Sequence, residues 1–245
     1  MKRVLITGAS RGIGSAIALE AARRAYDEVI VHYHENHTAA DEVCNDIRKM
    51  GKAAIPFAAN FANADGVDSL IELVRTYKEI HGIVHAAALN VFKPLSALRP
   101  NQWDLCLQIS TGSFVQIMNA IIPMMPSGSA VVAVSSLGSR MAIPFYGPMG
   151  PLKAALEASV RQYAFECAPF GIRVNGIAPG FVRTSSIEKF PNATELIQLA
   201  SLQTPLENRI AEPDEIAPVA GFLLGDESRW ITGQILVVDG GFSLS

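Results

Sequence analysis

The sequence predicts an α/β fold: a doubly wound, seven-stranded parallel sheet with helices on both faces. Three observations predict it. Seven short runs rich in β-branched residues alternate strictly with longer helical stretches. Several of the runs are apolar at nearly every position, as strands covered on both faces are. A glycine-spaced turn links the first run directly to the first helical stretch.

In chain order the runs cover residues 4–7, 29–34, 53–60, 82–88, 129–136, 172–179 and 234–239. Helical stretches are expected near 13–25, 38–50, 65–79, 101–122, 152–168 and 213–225. Strand–helix–strand units of this kind close right-handed, which puts helices on both faces. The chain shows no internal repeat, low-complexity tract or linker, so residues 1–245 are read as one domain. One long irregular stretch, 181–211, is polar, contains Pro191 and Pro205, and has room for a short helix near 193–201. A connection that long in a compact domain is usually functional, and a substrate lid is the expectation.

Composition narrows the function. The 245 residues are 49% hydrophobic and 18% charged, which argues against disorder. Lys plus Arg number 20 and Asp plus Glu 23, a formal charge of -3, with no basic excess to neutralise a nucleic-acid backbone. Cys44, Cys106 and Cys167 lie far apart, which suits reduced thiols better than disulfides or a thiolate zinc site. No uninterrupted apolar run approaches the ~18–20 residues of a membrane span, and the start lacks the ~7–15-residue apolar region of a secretory signal. A cytoplasmic protein without membrane partners is expected.

The first run leads into Thr7-Gly8-Ala9-Ser10-Arg11-Gly12-Ile13-Gly14. Gly8 permits a tight turn, Gly12 removes a side chain where backbone must approach phosphate, and Gly14 lets the helix pack on the strand. The N–H groups of the helix start then face a pyrophosphate with a favourable dipole.

Thr-Gly-x-x-x-Gly-x-Gly resembles the cofactor turn of the short-chain dehydrogenase/reductases. The likeness extends over nearly the whole chain, through Asn175-Gly176-Ile177-Ala178-Pro179-Gly180, then Thr184, and the ending Gly233-Gln234 to Val238-Asp239-Gly240-Gly241. It implies a Rossmann fold and a nicotinamide cofactor, with Pro179, Gly180, Val182 and Thr184 holding the nicotinamide end. Ser10 and Ile13 of the turn, Tyr33 and His34 after the second run, Asn60 and Phe61 after the third, and Ala87 after the fourth complete the expected cofactor set. Asn60 stands where the family often has an Asp near the adenine. The likeness also implies a homo-oligomer.

Charge favours NADPH over NADH. The second run ends His32-Tyr33-His34, with no acid before Glu35 to bond ribose hydroxyls and repel a 2′-phosphate. Arg11 in the turn is suited to pair with that phosphate. His32, His34 and His37 invite a metal reading, but no carboxylate or cysteine stands convincingly beside them, and no metal is expected.

The fifth run ends Val134-Ser135-Ser136-Leu137-Gly138, followed by Tyr146 and Lys153. In most of the family these two lie in Tyr-x3-Lys; here the spacing is Tyr-x6-Lys, with Gly150 at the usual lysine position. On a helix, seven residues return a side chain to within ~20° of the same face, so a shared cleft is expected. Pro148 and Pro151 suit only a helix start, which would leave Tyr146 on the lead-in if the helix begins at Pro151. Tyr146 is expected to donate to a substrate oxyanion, Lys153 to lower the phenol and orient the ribose, and Ser136 to give a second hydrogen bond.

The wide spacing resembles the enoyl-acyl-carrier-protein reductase branch. So do Ser135-Ser136-Leu137-Gly138 through Ala142-Ile143-Pro144-Phe145-Tyr146, Gln108-Ile109-Ser110-Thr111-Gly112-Ser113-Phe114, and Val238 to Ser243. The usual Asn-Asn-Ala-Gly is replaced by His85-Ala86-Ala87-Ala88, and Ile109-Ser110 stands where ketoreductases often carry a relay Asn. Against that, Ser136 replaces a second Tyr, and Thr7 to Gly14 looks like the ketoreductase form. The expectation is an NADPH-dependent reductase of an enoyl thioester on acyl carrier protein or coenzyme A. A 3-oxoacyl or other carbonyl reductase is the alternative, and a non-catalytic NADP-binding regulator the reading from another class.

Overall fold

In a computed structural model that describes residues 1–244, the chain forms one seven-stranded sheet, all parallel, in the order β3-β2-β1-β4-β5-β6-β7. The strands are β1 (Arg3–Thr7), β2 (Glu28–Tyr33), β3 (Ala53–Ala58), β4 (Gly82–His85), β5 (Ala130–Val134), β6 (Arg173–Pro179) and β7 (Ile235–Val238). The first, second, fourth, fifth and sixth are buried at every residue, in keeping with apolar residues at most of their positions. Register is fixed by central pairs such as Val4 opposite Val29 on one side and Gly82 on the other.

Helices α1 (Gly12–Arg24), α2 (His37–Lys49) and α8 (Pro213–Leu224) cover one face, packing Ile17, Ile47 and Leu223 against Val4, Val29 and Val132. On the other face α3 (Ala64–Arg75), α5 (Ser113–Ile121) and α6 (Met149–Cys167) bring Leu70, Phe114 and Leu156 onto Leu5, Ile83 and Val131. Each fully buried side chain of this size contributes roughly 1.5–3 kcal/mol by leaving water. The strand order reverses between β1 and β4, and at such a switch point the carboxyl ends of the strands leave a crevice.

Three details depart from the expectations. The stretch read as a helix over 101–122 is α4 (Pro100–Leu107), one π-turn (Gln108–Gly112) and α5 in continuous succession. That continuity corrects the expectation that no segment could span a membrane: the helix Pro100–Met124 is long and apolar enough by length and composition. Polar residues at 108–113 interrupt its apolar runs without lowering its mean hydropathy enough. Here Phe114, Ile117, Met118 and Ile121 lie buried against the sheet and α3. The strands expected at 53–60 and 82–88 end early, at Ala58 and His85, because the following residues leave the sheet to form the crevice floor.

The irregular stretch 181–211 is closed at its base by a bridge between Val182 and Ala211, with Arg183 N donating to the Ala211 carbonyl at 2.8 Å. It carries α7 (Ala193–Gln203), longer than expected. A small apolar cluster of Leu137, Ile187, Ala200, Ile210 and Phe242 packs it onto the body.

Candidate active site

At the crevice, a cleft of about 430 Å³ is lined by the turns after β1, β2, β3 and β4 and by Tyr146, Lys153 and Thr184. The turn after β1 has the geometry its glycines foretold. Gly8 and Gly12 take φ of +66° and +58°, the left-handed region that glycine adopts without steric penalty. A side chain on Gly8 would press on the Ala87 backbone at 2.9 Å, and one on Gly14 would collide with the Gly8 carbonyl. Arg11 occupies the N-cap of α1 with an exposed side chain and, among the described residues, no ion-pair partner.

Two buried histidines brace this turn. His32 Nδ1 accepts from Gly8 N at 3.1 Å, so its Nε2 carries the proton and donates to the Ala59 carbonyl at 3.1 Å. Its ring stacks on Phe61 at 4.0 Å, and burial lowers its pKa to about 4. The Thr7 hydroxyl accepts from Ala86 N and Ala87 N, which directs its own proton to His85 Nδ1 at 3.1 Å. His85 Nε2 then donates to the Ser110 carbonyl in the π-turn at 3.2 Å. Burial, reinforced by the charge of Lys153, holds His85 neutral with a pKa of about 3.

All the sequence-predicted cofactor residues line this cleft or the smaller one beside it. Gly8, Ser10, Arg11, Gly12, Ile13, Gly14, Tyr33, His34, Asn60, Phe61, Ala87 and Thr184 line the first. Pro179, Gly180, Val182 and Ser136 line the second, a space of about 140 Å³ that shares Tyr146 and Thr184 with the first.

Tyr146 reaches the cleft by a route the helical spacing did not describe. It lies outside α6, which starts at Met149 behind Pro148, so the seven-residue face argument does not apply. Instead Tyr146 forms an isolated bridge with Lys93, and Gly147 N donates to the Lys93 carbonyl at 3.0 Å. Phe145 just before it takes φ of +61°, a conformation that costs a bulky residue of order 1–3 kcal/mol. Gly138 leaves space that the Tyr146 ring fills.

Lys153, in the second turn of α6, is buried and donates from Nζ to the Val134 carbonyl at 2.6 Å. Burial pushes its pKa down to about 8, with Glu157 opposing. The Tyr146 phenol differs from the expectation of a lysine-lowered acid: burial raises it above its ordinary value, and a hydrogen bond with Ser136 draws it back. Phe92 and Phe190 were not foreseen. Their rings approach to 3.9 Å, and Phe190 lies near-parallel to Tyr146 at 6.0 Å. Nothing local in the sequence joins residues so far apart.

A glycine cradle at a helix N-terminus, opening beside a buried lysine and a tyrosine, defines an α/β oxidoreductase of the dinucleotide-binding type. A family model described as enoyl-(acyl carrier protein) reductase matches residues 8–243. The 1-cyclohexenylcarbonyl-CoA reductase of Streptomyces collinus is 36% identical over 98% of this chain and 86% of its own length. Versicolorin reductase stcU of Emericella nidulans is 30% identical over 98% of the chain and 95% of its own length. The crystal structure of angucycline C-6 ketoreductase LanV with bound NADP superposes with a TM-score of 0.92 at 31% identity, covering 100% of this chain and 96% of LanV. The chain belongs to the enoyl-(acyl carrier protein) reductase family of short-chain dehydrogenase/reductases and is an NAD(P)-dependent oxidoreductase.

Proposed function

We propose that the chain is an NADPH-dependent reductase of the C2–C3 double bond of an enoyl thioester carried on coenzyme A or acyl carrier protein. The observation that carries this reading is the meeting of Tyr146, Lys153 and the glycine turn in one cleft, with Ser136 and Tyr146 together on the adjoining pocket. The name of the Streptomyces collinus relative, an enoyl-CoA reductase by its printed substrate, supports the enoyl step. The NADP bound to LanV supports the cofactor, as does Arg11, which lines the cleft and among the described residues has no ion-pair partner.

When bound, the cofactor supplies hydride to the β-carbon of the substrate. Beyond Gly8 and Ala9, whose N–H groups are held by His32, the turn up to Gly14 presents backbone N–H groups to its pyrophosphate. Arg11 pairs with the 2′-phosphate, with Ser10 and His34 at the same end. Tyr33, Asn60, Phe61 and Ala87 line the adenosine half, and Ile13, Pro179, Gly180, Val182 and Thr184 the nicotinamide half. As negative charge moves onto the thioester oxygen, the Tyr146 hydroxyl donates a hydrogen bond to it, and the enolate then takes a proton at C2 from solvent water to complete the reduction. Ser136 orients that phenol or gives a second bond. Lys153 orients the ribose and supplies positive charge beside the developing anion. The stretch 181–211 acts as the substrate lid.

A carbonyl reductase is the second reading, favoured by the likeness to LanV and by the ketoreductase-like form of Thr7 to Gly14. Against it, Ile109-Ser110 stands in the region where such enzymes often carry the relay Asn; Ile109, which lines the cleft, has no polar side chain, and the Ser110 carbonyl and hydroxyl already accept from His85 and Leu89 N. The deciding experiment follows NADPH absorbance with crotonyl and acetoacetyl thioesters. Faster turnover of crotonyl supports the enoyl reading, and turnover of acetoacetyl alone overturns it. NADPH binding without turnover of either supports a regulator. We also propose a homo-oligomer, in line with bulky apolar side chains left exposed at Phe165 and Trp230.

A further inference from the structure

We propose that Glu157 is a positioning residue of this active site: its single buried carboxylate fixes both ends of the turn that carries Ser136 and keeps a negative charge one helical turn from the Lys153 amine. The inference rests on the reading of Lys153 and Ser136 as working residues.

A carboxylate taken out of water is costly unless hydrogen bonds and counter-charge replace its hydration. Glu157 is 6% exposed and has both. Its Oε1 accepts from Ser135 Oγ at 2.7 Å and lies 2.6 Å from Ser139 Oγ. The Ser139 hydroxyl also lies 2.7 Å from the Ser136 carbonyl. Oε2 faces Arg140 Nε at 3.6 Å. Ser135 and Ser139 bracket Ser136, so one side chain holds the turn on either side of the residue that faces the pocket. Four residues earlier on the same helix, Lys153 holds the Val134 carbonyl at 2.6 Å. Successive turns of α6 thus grip the end of β5 and the turn beyond it.

The charge has its own role. Lys153 bonds to a carbonyl, not to a carboxylate. The groups around it are His85 from β4, Tyr146 from the lead-in, and Glu157 from its own helix; Arg140 faces Glu157 from the turn. His85 is neutral and Tyr146 is a raised phenol, so Glu157 is the anion that keeps the buried amine protonated. A brace alone would require only an acceptor oxygen at this position.

The test separates the two roles. Glu157→Gln keeps an acceptor oxygen and removes the charge. The Lys153 titration is read by NMR of protein carrying ¹³Cε-lysine, assigned against Lys153→Arg, and reductase activity is followed across pH in parallel. The expected result is a Lys153 midpoint about one pH unit lower than in the parent, with activity reduced about 5-fold near pH 8 and restored toward pH 6. Arg140→Gln, at an exposed side chain, removes the opposing cation and should move the midpoint upward. An unmoved midpoint in Glu157→Gln, or a loss of activity equal at all pH values and matched by a lower Tm, overturns the proposal. If Glu157→Gln does not fold, Arg140→Gln decides: an unmoved or lowered midpoint overturns it. The NMR midpoint requires no substrate, so a parent protein inactive on both thioesters would count against the proposed substrates, while the midpoint shift still tests the coupling of Glu157 to Lys153.

Discussion

Lys153 Nζ and the Val134 carbonyl are 2.6 Å apart, which ties the amine of α6 to the last residue of β5. The bond sets the height of the ammonium on the cleft wall without neutralising it. Removing the amine should therefore affect both cofactor orientation and charge stabilisation. Lys153→Met, which keeps the apolar stem, should lower kcat by about 10²-fold or more and weaken NADPH several-fold. Steady-state kinetics with calorimetric titration of NADPH check this; a variant that loses affinity but keeps kcat would remove Lys153 from the chemistry.

The Tyr146 ring fills the space that Gly138 leaves open, and this gives two independent ways to disturb it. Tyr146→Phe removes the donor alone and should lower kcat by at least ~10²-fold with NADPH affinity nearly unchanged. Gly138→Ala would press a methyl group onto the ring and should lower kcat while sparing the pyrophosphate turn. Activity close to the parent in Tyr146→Phe would refute its role as donor.

Much of this site was legible in the sequence, for physical reasons that differ by residue. The turn at Gly8, Gly12 and Gly14 could be read because backbone approach and positive φ demand glycine at set spacing. Five of the strands could be read because burial on both faces leaves no polar alternation. Tyr146 and Lys153 were found together: the prolines allowed Tyr146 on the lead-in, where it lies, but the helical wheel could not represent a lead-in set by Phe145 at positive φ and a bridge to Lys93. The π-turn at Gln108–Gly112, whose Ser110 carbonyl meets His85 Nε2, has no local pattern. Phe92 against Phe190, and Glu157 against Ser135 and Ser139, join distant segments and become visible only when the chain is folded.

Arg11 tests the cofactor preference. It stands at the N-cap of α1 and lines the cleft with His34 and Glu35. A guanidinium facing a doubly charged phosphate is worth more than one facing ribose hydroxyls. Arg11→Ala should raise Kd for NADPH about 10-fold or more and leave NADH within about 3-fold, since an exposed charge-assisted pair contributes on the order of 1–2 kcal/mol. Equal losses for the two cofactors would remove Arg11 from the 2′-phosphate.

His32 and His85 make the fold sensitive to acid. Each ring nitrogen is engaged in the neutral form: Nδ1 accepts from Gly8 N in His32 and from the Thr7 hydroxyl in His85. Protonation would turn both acceptors into donors facing donors, in sites shielded from water. Burial accordingly lowers the two groups to about 4 and about 3 from an ordinary 6.5. Unfolding releases both to the ordinary value, so below that pH the unfolded chain binds more protons than the folded one. Stability from these two residues is present above pH 6.5 and is lost as pH falls below it, toward about 4 for His32 and about 3 for His85. Two protons taken up on unfolding correspond to a slope of at most about 2.7 kcal/mol per pH unit. Urea unfolding at pH 7, 6 and 5 should show the midpoint fall with little change in m-value. His85→Asn, which lacks a titrating ring, should flatten that dependence by about one proton while lowering stability at pH 7. An unfolding free energy independent of pH between 7 and 5 would mean that these imidazoles are not held neutral by the fold.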